Sequence, residues 1–472
     1  MAAVAAEPAS SDWRIKLLPV VVACPMFLQN LDTSVMATAL PTIAQSLNVQ
    51  VLDLNLAITA YLLSLSIFLP VSGWLADRIG SRRVFCTAIF LFSLGSALCG
   101  TAQSLEALVV YRLLQGMGGA MMTPVGRLLL LQNIPPAGLV RAMVWFTVPG
   151  GFGRLAGPFF GGAIVTLVSW HWIFLVNVPF GALGIIMALR VIKPDVPTPP
   201  EQLHPFDVVG FVLLACGLAG VLGSLEFVAR GMLRWPVPLA MGCMGIAALI
   251  GYWQHNRREA EPLIDFRILR FTTFRASILG GMPLRIAIGA APFLLPLMMQ
   301  IGFGLSPLQS GVLTMATAIG SLFTRTVVGR AIKRMGFRRL LVWSSMLTSL
   351  FYMSYGLFTP ATSHVLIFCV LVAGGLFNAM VMISLNAMGF TEISRQRMGH
   401  ATATQSMAQQ LALSIGVVLG ASLLALTSIA RGGDGIHLEA ADFMPAFVLV
   451  GLMTMTSVRA FRHLPEDEAK PD

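Results

Sequence analysis

Charge is scarce in this chain. Only 11% of its 472 residues are Asp, Glu, Lys or Arg, about half of what a soluble domain carries. Hydrophobic residues make up 56%, and the mean hydropathy is +0.80. A water-soluble globule is excluded, and bilayer spans of about 20 apolar residues become the default reading. Cysteine is rare as well. The six present, Cys24, Cys86, Cys99, Cys216, Cys243 and Cys369, all lie in apolar stretches and form no CxxC pair. They read as small buried hydrophobes rather than disulfides or metal ligands. No metal, cofactor or catalytic machinery is expected. No GxxxxGK(S/T) phosphate loop occurs, which argues against ATP as the energy source. No segment has the composition of a sizeable soluble domain.

The charge that remains is lopsided, with a net of +10 and a pI near 9.8. In a soluble protein that excess would suggest nucleic acid as a partner. Here the bilayer is the partner, because cytoplasmic loops of membrane proteins concentrate Lys and Arg, and no nucleic-acid binding is expected. Apolar runs predict fourteen helical spans, an even count that puts both termini on one side. Five arginines fall within spans (Arg112, Arg127, Arg154, Arg285, Arg325) and three in loops away from the termini (Arg230, Arg234, Arg431). The rest of the 31 Lys and Arg lie on the side of the termini, which assigns both to the cytoplasm. The first apolar run reads as a retained span, not a cleaved signal peptide.

One motif occurs twice. GWLADRIGSRRV at Gly73–Val84 returns 256 residues later as GRAIKRMGFRRL at Gly329–Leu340, with Gly73/Gly329, Arg78/Arg334, Gly80/Gly336, Arg82/Arg338 and Arg83/Arg339 in register. Each copy sits between two apolar runs. A repeated basic turn between spans implies two homologous membrane halves around a central site. The offset holds only if two spans are inserted between the halves. The expected order is a tail (1–16), a six-helix bundle (17–192), a Pro-rich linker (193–205), two inserted spans (206–255), a basic linker (256–273), a second six-helix bundle (274–461) and a C-terminal tail (462–472).

Polar residues inside the spans are the functional candidates. A carboxylate at the bilayer centre costs about 2.5–3.5 kcal/mol to insert, so Asp32, in FLQNLDTSVMATALP, needs a reason to be there. Burial opposes its charge and a nearby cation favours it, a balance that suits a group exchanging a proton; a fixed salt bridge is the alternative. Arg112, in RLLQGMGGAMMTPVGR, must face a partner or water. Asp32 is the leading candidate partner, with Gln115 one turn on from Arg112. An orienting contact that never titrates is the alternative role. In VPGGFGRLAGPFFGGAIV, Gly153, Gly157 and Gly161 share one face, a stripe that allows close helix contact; Pro158 and Gly162 lie beside it. In the basic turn, Asp77 is expected to accept hydrogen bonds or cap a neighbouring helix, forming a breakable clasp with Arg78, Arg82 and Arg83; a topological anchor is the alternative. The offset pairs Arg154 with Gln410 and Arg285 with Gln29. With Asn30, Asn378 and Gln409 these give a polar inner wall, and its arginines would favour carboxylate or phosphate groups on a substrate unless Glu226, Asp32 or backbone carbonyls neutralise them. Glu226 is expected to face the interface. Trp170, His171 and Trp172 read as an interfacial anchor.

These motifs resemble the major facilitator superfamily. GWLADRIGSRR is similar to its signature turn, LDTSVMATALPTIAQSL and RLLQGMGGAMMTPVGR to the first- and fourth-span motifs of drug:proton antiporters, and GRLAGPFFGG to the antiporter motif of the fifth span. The two inserted spans match the fourteen-span branch, and the chain as a whole resembles the MdtD-type multidrug efflux group. The resemblance implies an all-α major facilitator fold and a proton-coupled exporter of small molecules in the cytoplasmic membrane, expected to be a monomer. It gives Asp32 and Arg112 the proton-handling positions, the Asp77–Arg78 turn the gating positions, and Gly157 and Pro158 the antiporter-motif positions. Arg154 departs from the family pattern, and with so few membrane carboxylates it counts against a purely lipophilic-cation cargo; the alternative cargo is an endogenous anionic metabolite, such as an organic acid or its metal chelate. A non-transporting membrane sensor is a third reading, which the lack of an output domain disfavours.

Overall fold

The apolar runs form long helices because a backbone in hydrocarbon must satisfy its own hydrogen bonds. The structure, a computed structural model, describes residues 13–195, 205–230, 236–259, 262–264, 266–393, 398–433 and 438–464, and among these there is no strand. The first half comprises α1 (Trp13–Leu47), α2 (Asn55–Phe68), α3 (Val71–Ile79), α4 (Ser81–Cys99), α5 (Leu105–Asn133), α6 (Pro136–Leu167), α7 (Trp172–Leu175) and α8 (Asn177–Val191). The hairpin α9 (Val208–Arg230) and α10 (Pro236–Asn256) follows. The second half contains α11 (Thr272–Arg275), α12 (Met282–Leu297), α13 (Pro307–Tyr355), α14 (His364–Gly389), α15 (Met398–Ala430) and α16 (Ala440–Arg462).

Among the described residues, eleven helices are long and apolar enough to cross a membrane. One of them, α13, holds a non-helical residue, Gly336, so it crosses twice; α5 and α6, of 29 and 32 residues, are also long enough to span. The arrangement is consistent with fourteen crossings. Large apolar side chains such as Val110, Leu183, Met244, Val365 and Leu426 are exposed, as a lipid-facing belt requires. Cys216, Cys243 and Cys369 join that exposed surface, while only Cys99 is fully buried. The expectation that all six are buried is corrected for these three: a thiol is apolar enough to face lipid.

The internal repeat has a backbone signature. Gly80 breaks α3 from α4 at φ 98°, ψ 140°, and Gly336 breaks α13 at φ 71°, ψ 166°. Both lie at positive φ, where a Cβ would be strained. They mark one side of the molecule, the turn side, on which α1 also begins. The inserted hairpin packs its two helices together and rests α9 against α2 of the first half and α15 of the second.

Candidate functional site

A cavity of about 1360 Å³ lies between the halves. Met26, Asn30 and Arg154 line it from the first half, Ile288, Pro292 and Gln410 from the second. It reaches the turn side, where Gly73, Asp77 and Leu131 form part of its wall. The opposite, far side is closed by direct contact between the halves. There Gln300 Nε2 donates to the Thr38 carbonyl at 3.0 Å. A Cβ on Gly162 would lie 2.4 Å from the Pro307 carbonyl oxygen, and one on Gly311 would overlap the Pro158 carbonyl oxygen at 2.1 Å. The backbones of α6 and α13 meet only because those residues are glycine.

Asp32 sits on α1, 3% exposed, and Arg112 on α5 is fully buried. Arg112 Nη1 donates to Asp32 Oδ2 at 2.6 Å and to Gln115 Oε1 at 2.8 Å. Gln115 Nε2 donates to Asp32 Oδ1 at 2.9 Å. Asn177 Nδ2 donates to the same oxygen at 3.3 Å and to Ser96 Oγ at 2.9 Å. The guanidinium carbon lies 4.4 Å from the centroid of the Tyr61 ring and 5.6 Å from that of Phe174, cation–π contacts that strengthen when desolvated. Local sequence explains the depth of this site. A Cβ on Gly116 would lie 2.6 Å from the Tyr61 carbonyl oxygen of α2, and one on Gly118 2.4 Å from the Phe92 amide nitrogen of α4, so α5 is wedged between both helices with Arg112 and Gln115 inside. Asp32 and Arg112 do not line the cavity, but Gln29, Asn30, Thr33 and Ser34 on the same helix do.

Arg154 is exposed to the cavity, with its Nη2 donating to Asn30 Oδ1 at 2.8 Å. Its repeat counterpart Gln410 lines the same space from α15, as does Gln409. Gln29 lines it too and accepts a hydrogen bond from Thr123 at 3.0 Å. The structure does not bring Gln115, Arg285 or Asn378 to the cavity wall. Gln115 is held in the Asp32 cluster. Arg285, 2% exposed, donates to the Ser277 carbonyl and to Asn386 Oδ1. Asn378 donates to the Tyr352 hydroxyl at 3.4 Å. Backbone and amide oxygens thus take up hydrogen bonds from Arg285, whereas Arg154 keeps contact with solvent.

The glycine stripe of α6 faces α1: a Cβ on Gly153 would lie 2.6 Å from the Phe27 carbonyl oxygen, one on Gly157 2.4 Å from Ser34 Cβ, and one on Gly161 3.0 Å from Val35 Cγ1. One helix therefore packs inside its own bundle through Gly153, Gly157 and Gly161, and closes the far side against the other bundle through Pro158 and Gly162.

In the basic turn the helix cap comes from a residue that the sequence did not single out. Asp195 accepts the backbone amides of Arg82 at 2.8 Å and Arg83 at 3.1 Å, at the N-terminus of α4, where an anion is favoured. A Cβ on Gly80 would collide with Asp195. The Arg82 guanidinium donates to the Leu189 carbonyl at 2.6 Å, and Arg78 lies over the Trp74 ring at 5.5 Å. Asp77 stands at the cavity wall. Asp195 falls in the stretch read as a Pro-rich linker, and nothing in its local pattern indicates a partner more than a hundred residues away.

Two further expectations are corrected. Glu226 does not face an interface; it is 2% exposed and accepts from Asn55 Nδ2 at 2.9 Å, bridging α9 to α2. Trp172 is exposed, but Trp170 is buried, stacked on His171 with centroids 3.8 Å apart. Asn177 and Ser96 were missed because single polar residues in apolar helices carry no periodic signal.

Comparison with known proteins gives one answer. Residues 22–417 match the Major Facilitator Superfamily. Relatives provisionally named multidrug resistance protein MdtD include one from Pectobacterium atrosepticum, 35% identical over 468 residues and covering 98% of each chain. Another, from Klebsiella pneumoniae, is 36% identical over 469 residues, covering 98% of this chain and 96% of the relative. Among solved structures, a D-xylose-proton symporter aligns over 97% of this chain and 99% of its own with TM-score 0.68 at 15% identity. A peptide transporter of the POT family aligns over 96% and 99%, also with TM-score 0.68 at 15% identity. At that identity these structures speak for the fold alone.

Proposed function

Because the chain belongs to the major facilitator superfamily, and is therefore a multi-pass membrane transporter of small molecules rather than an enzyme, we propose that it is a proton-coupled exporter working by alternating access in the cytoplasmic membrane. The observation that carries this reading is the Asp32–Arg112 pair, sealed from the cavity yet one helical turn from residues that line it. In the proposed cycle the turn side faces the cytoplasm, both termini lie there, and cargo enters the cavity from that side. Rocking of the bundles opens the Gly162–Pro307 contact. A proton from outside then neutralises Asp32 and releases it from the guanidinium, and loss of that proton to the cytoplasm re-forms the pair. A membrane potential adds about 2.3 kcal/mol per charge per 100 mV, enough to drive export without ATP.

The named relatives support lipophilic drugs as cargo. The cavity supports the second reading, an anionic metabolite, because Arg154 and Arg127 both line it and a guanidinium pairs well with carboxylate or phosphate. Proteoliposomes with an imposed pH gradient separate the two. Accumulation of a lipophilic cationic dye supports drug export. Accumulation of a di- or tricarboxylate that Arg154→Gln weakens at least tenfold supports anion export. A gradient that moves neither class against its concentration would remove the proton-coupled reading.

A further inference from the structure

The inserted hairpin carries a cluster that the transport cycle above does not use. Asp207 immediately precedes α9, His255 lies in the last turn of α10, and Glu259 follows one turn later. His255 Nε2 is 2.8 Å from Asp207 Oδ1 and 3.8 Å from Glu259 Oε2, and one ligand atom from each of the three residues lies within 4.8 Å of the others. Part of this is ordinary helix chemistry: Asp207 Oδ1 caps α9 by accepting the Gly210 amide at 2.7 Å. Capping leaves the other oxygen unexplained. The Asp207 side chain is only 6% exposed, and its Oδ2 is buried without a hydrogen-bond partner. A buried carboxylate oxygen with free lone pairs is costly and calls for a donor or a cation.

We propose that Asp207, His255 and Glu259 bind one divalent cation of the Zn²⁺ class, which staples the turn-side ends of the inserted hairpin at the rim of the cavity that Asp207 also lines. One imidazole and two carboxylates suit a borderline transition metal. Tetrahedral donors about 2.0 Å from Zn²⁺ stand about 3.3 Å apart; His255 Nε2 is 2.8 Å from Asp207 Oδ1, the capping oxygen, and 3.8 Å from Glu259 Oε2, so small side-chain rotations would be needed to close the three on an ion. The Gly210 amide orients the Asp207 carboxylate from behind, as outer hydrogen bonds do for metal ligands. Of the arginines nearby, Arg257 is directed to the Trp253 ring, 5.0 Å away. Asp207 is 48 residues from His255 along the chain, so only the His255–Glu259 pair, four residues apart, shows as a spacing in the sequence.

The test uses full-length protein without a histidine tag, purified in detergent and stripped with chelator. Zn²⁺ titrated against a chromophoric chelator should bind with one equivalent and raise the melting midpoint; millimolar Mg²⁺ should not compete. Co²⁺ in place of Zn²⁺ should give visible d–d absorption that Zn²⁺ displaces. Asp207→Asn keeps a good helix cap, and Glu259→Gln leaves the cap untouched. Each should weaken Zn²⁺ binding about tenfold or more, and Asp207→Asn with His255→Gln should abolish it. Absence of a saturable equivalent in the parent protein, or the same affinity in the double variant, would overturn the proposal and leave a hydrogen-bonded hairpin clasp. No readout involves transport, so the outcome is independent of the export reading.

Discussion

The Arg112 guanidinium of α5 holds the Asp32 carboxylate of α1 at 2.6 Å, at a depth set by Gly116 and Gly118, which let α5 sit against α2 and α4. The pair is buried and hydrogen-bonded to Gln115 and Asn177. Breaking such a pair from one side strands a charge, at a cost of about 3–5 kcal/mol. Asp32→Ala and Arg112→Ala should therefore each lower stability by that amount. Asp32→Asn with Arg112→Gln should lose less than the sum of its single variants, yet show no proton coupling. Thermal melting in detergent and a double-mutant cycle measure this; strict additivity would mean that the two groups act separately.

The α1–α6 seam predicts opposite outcomes for glycines that look alike in sequence. Gly157→Ala places a methyl group 2.4 Å from Ser34 Cβ and should cost about 1–3 kcal/mol through overpacking. Gly329→Ala meets nothing within 4 Å and sits in helix at negative φ, so it should be neutral or stabilise by about 0.4–1 kcal/mol. Melting midpoints decide, and equal losses at both sites would contradict the packing account.

Asp195 predicts a stability effect in the basic turn. Removing the carboxylate that accepts the Arg82 and Arg83 amides should cost about 1 kcal/mol, the usual value of a cap, with Asp195→Asn nearly neutral. If Asp195→Ala melts with the parent, the cap contributes nothing measurable.

The sequence made some of this legible and hid the rest for identifiable reasons. Charged residues in apolar runs stand out, so Asp32 and Arg112 could be paired on cost alone. The Gly153–Gly157–Gly161 stripe shows its face through helical spacing, and the Gly80/Gly336 repeat through register. Long-range polar partners are different. Asp195 to α4, Glu226 to Asn55, Asn177 to Asp32 and His255 to Asp207 each join segments distant in sequence, and no local propensity encodes them. Arg285 shows the converse: its type suggested a cavity wall, but backbone and amide oxygens were close enough to bury it.

The far-side closure predicts a reversible lock. In a cysteine-free background, Thr38→Cys with Gln300→Cys should cross-link with a short bifunctional reagent, because Gln300 Nε2 is 3.0 Å from the Thr38 carbonyl. The cross-linked protein should stop transporting and regain activity when a cleavable linker is reduced. Full transport with the linker intact would mean that the halves do not part on that side.

The central claim is that Asp32 carries the coupling proton. The most direct measurement is proton movement driven by cargo alone: proteoliposomes with no initial pH gradient, a pH-sensitive dye inside, and cargo added outside. The parent protein should shift the internal pH as cargo crosses. Asp32→Asn should pass cargo down its gradient with no pH change. A pH change of the same size in Asp32→Asn would contradict the account.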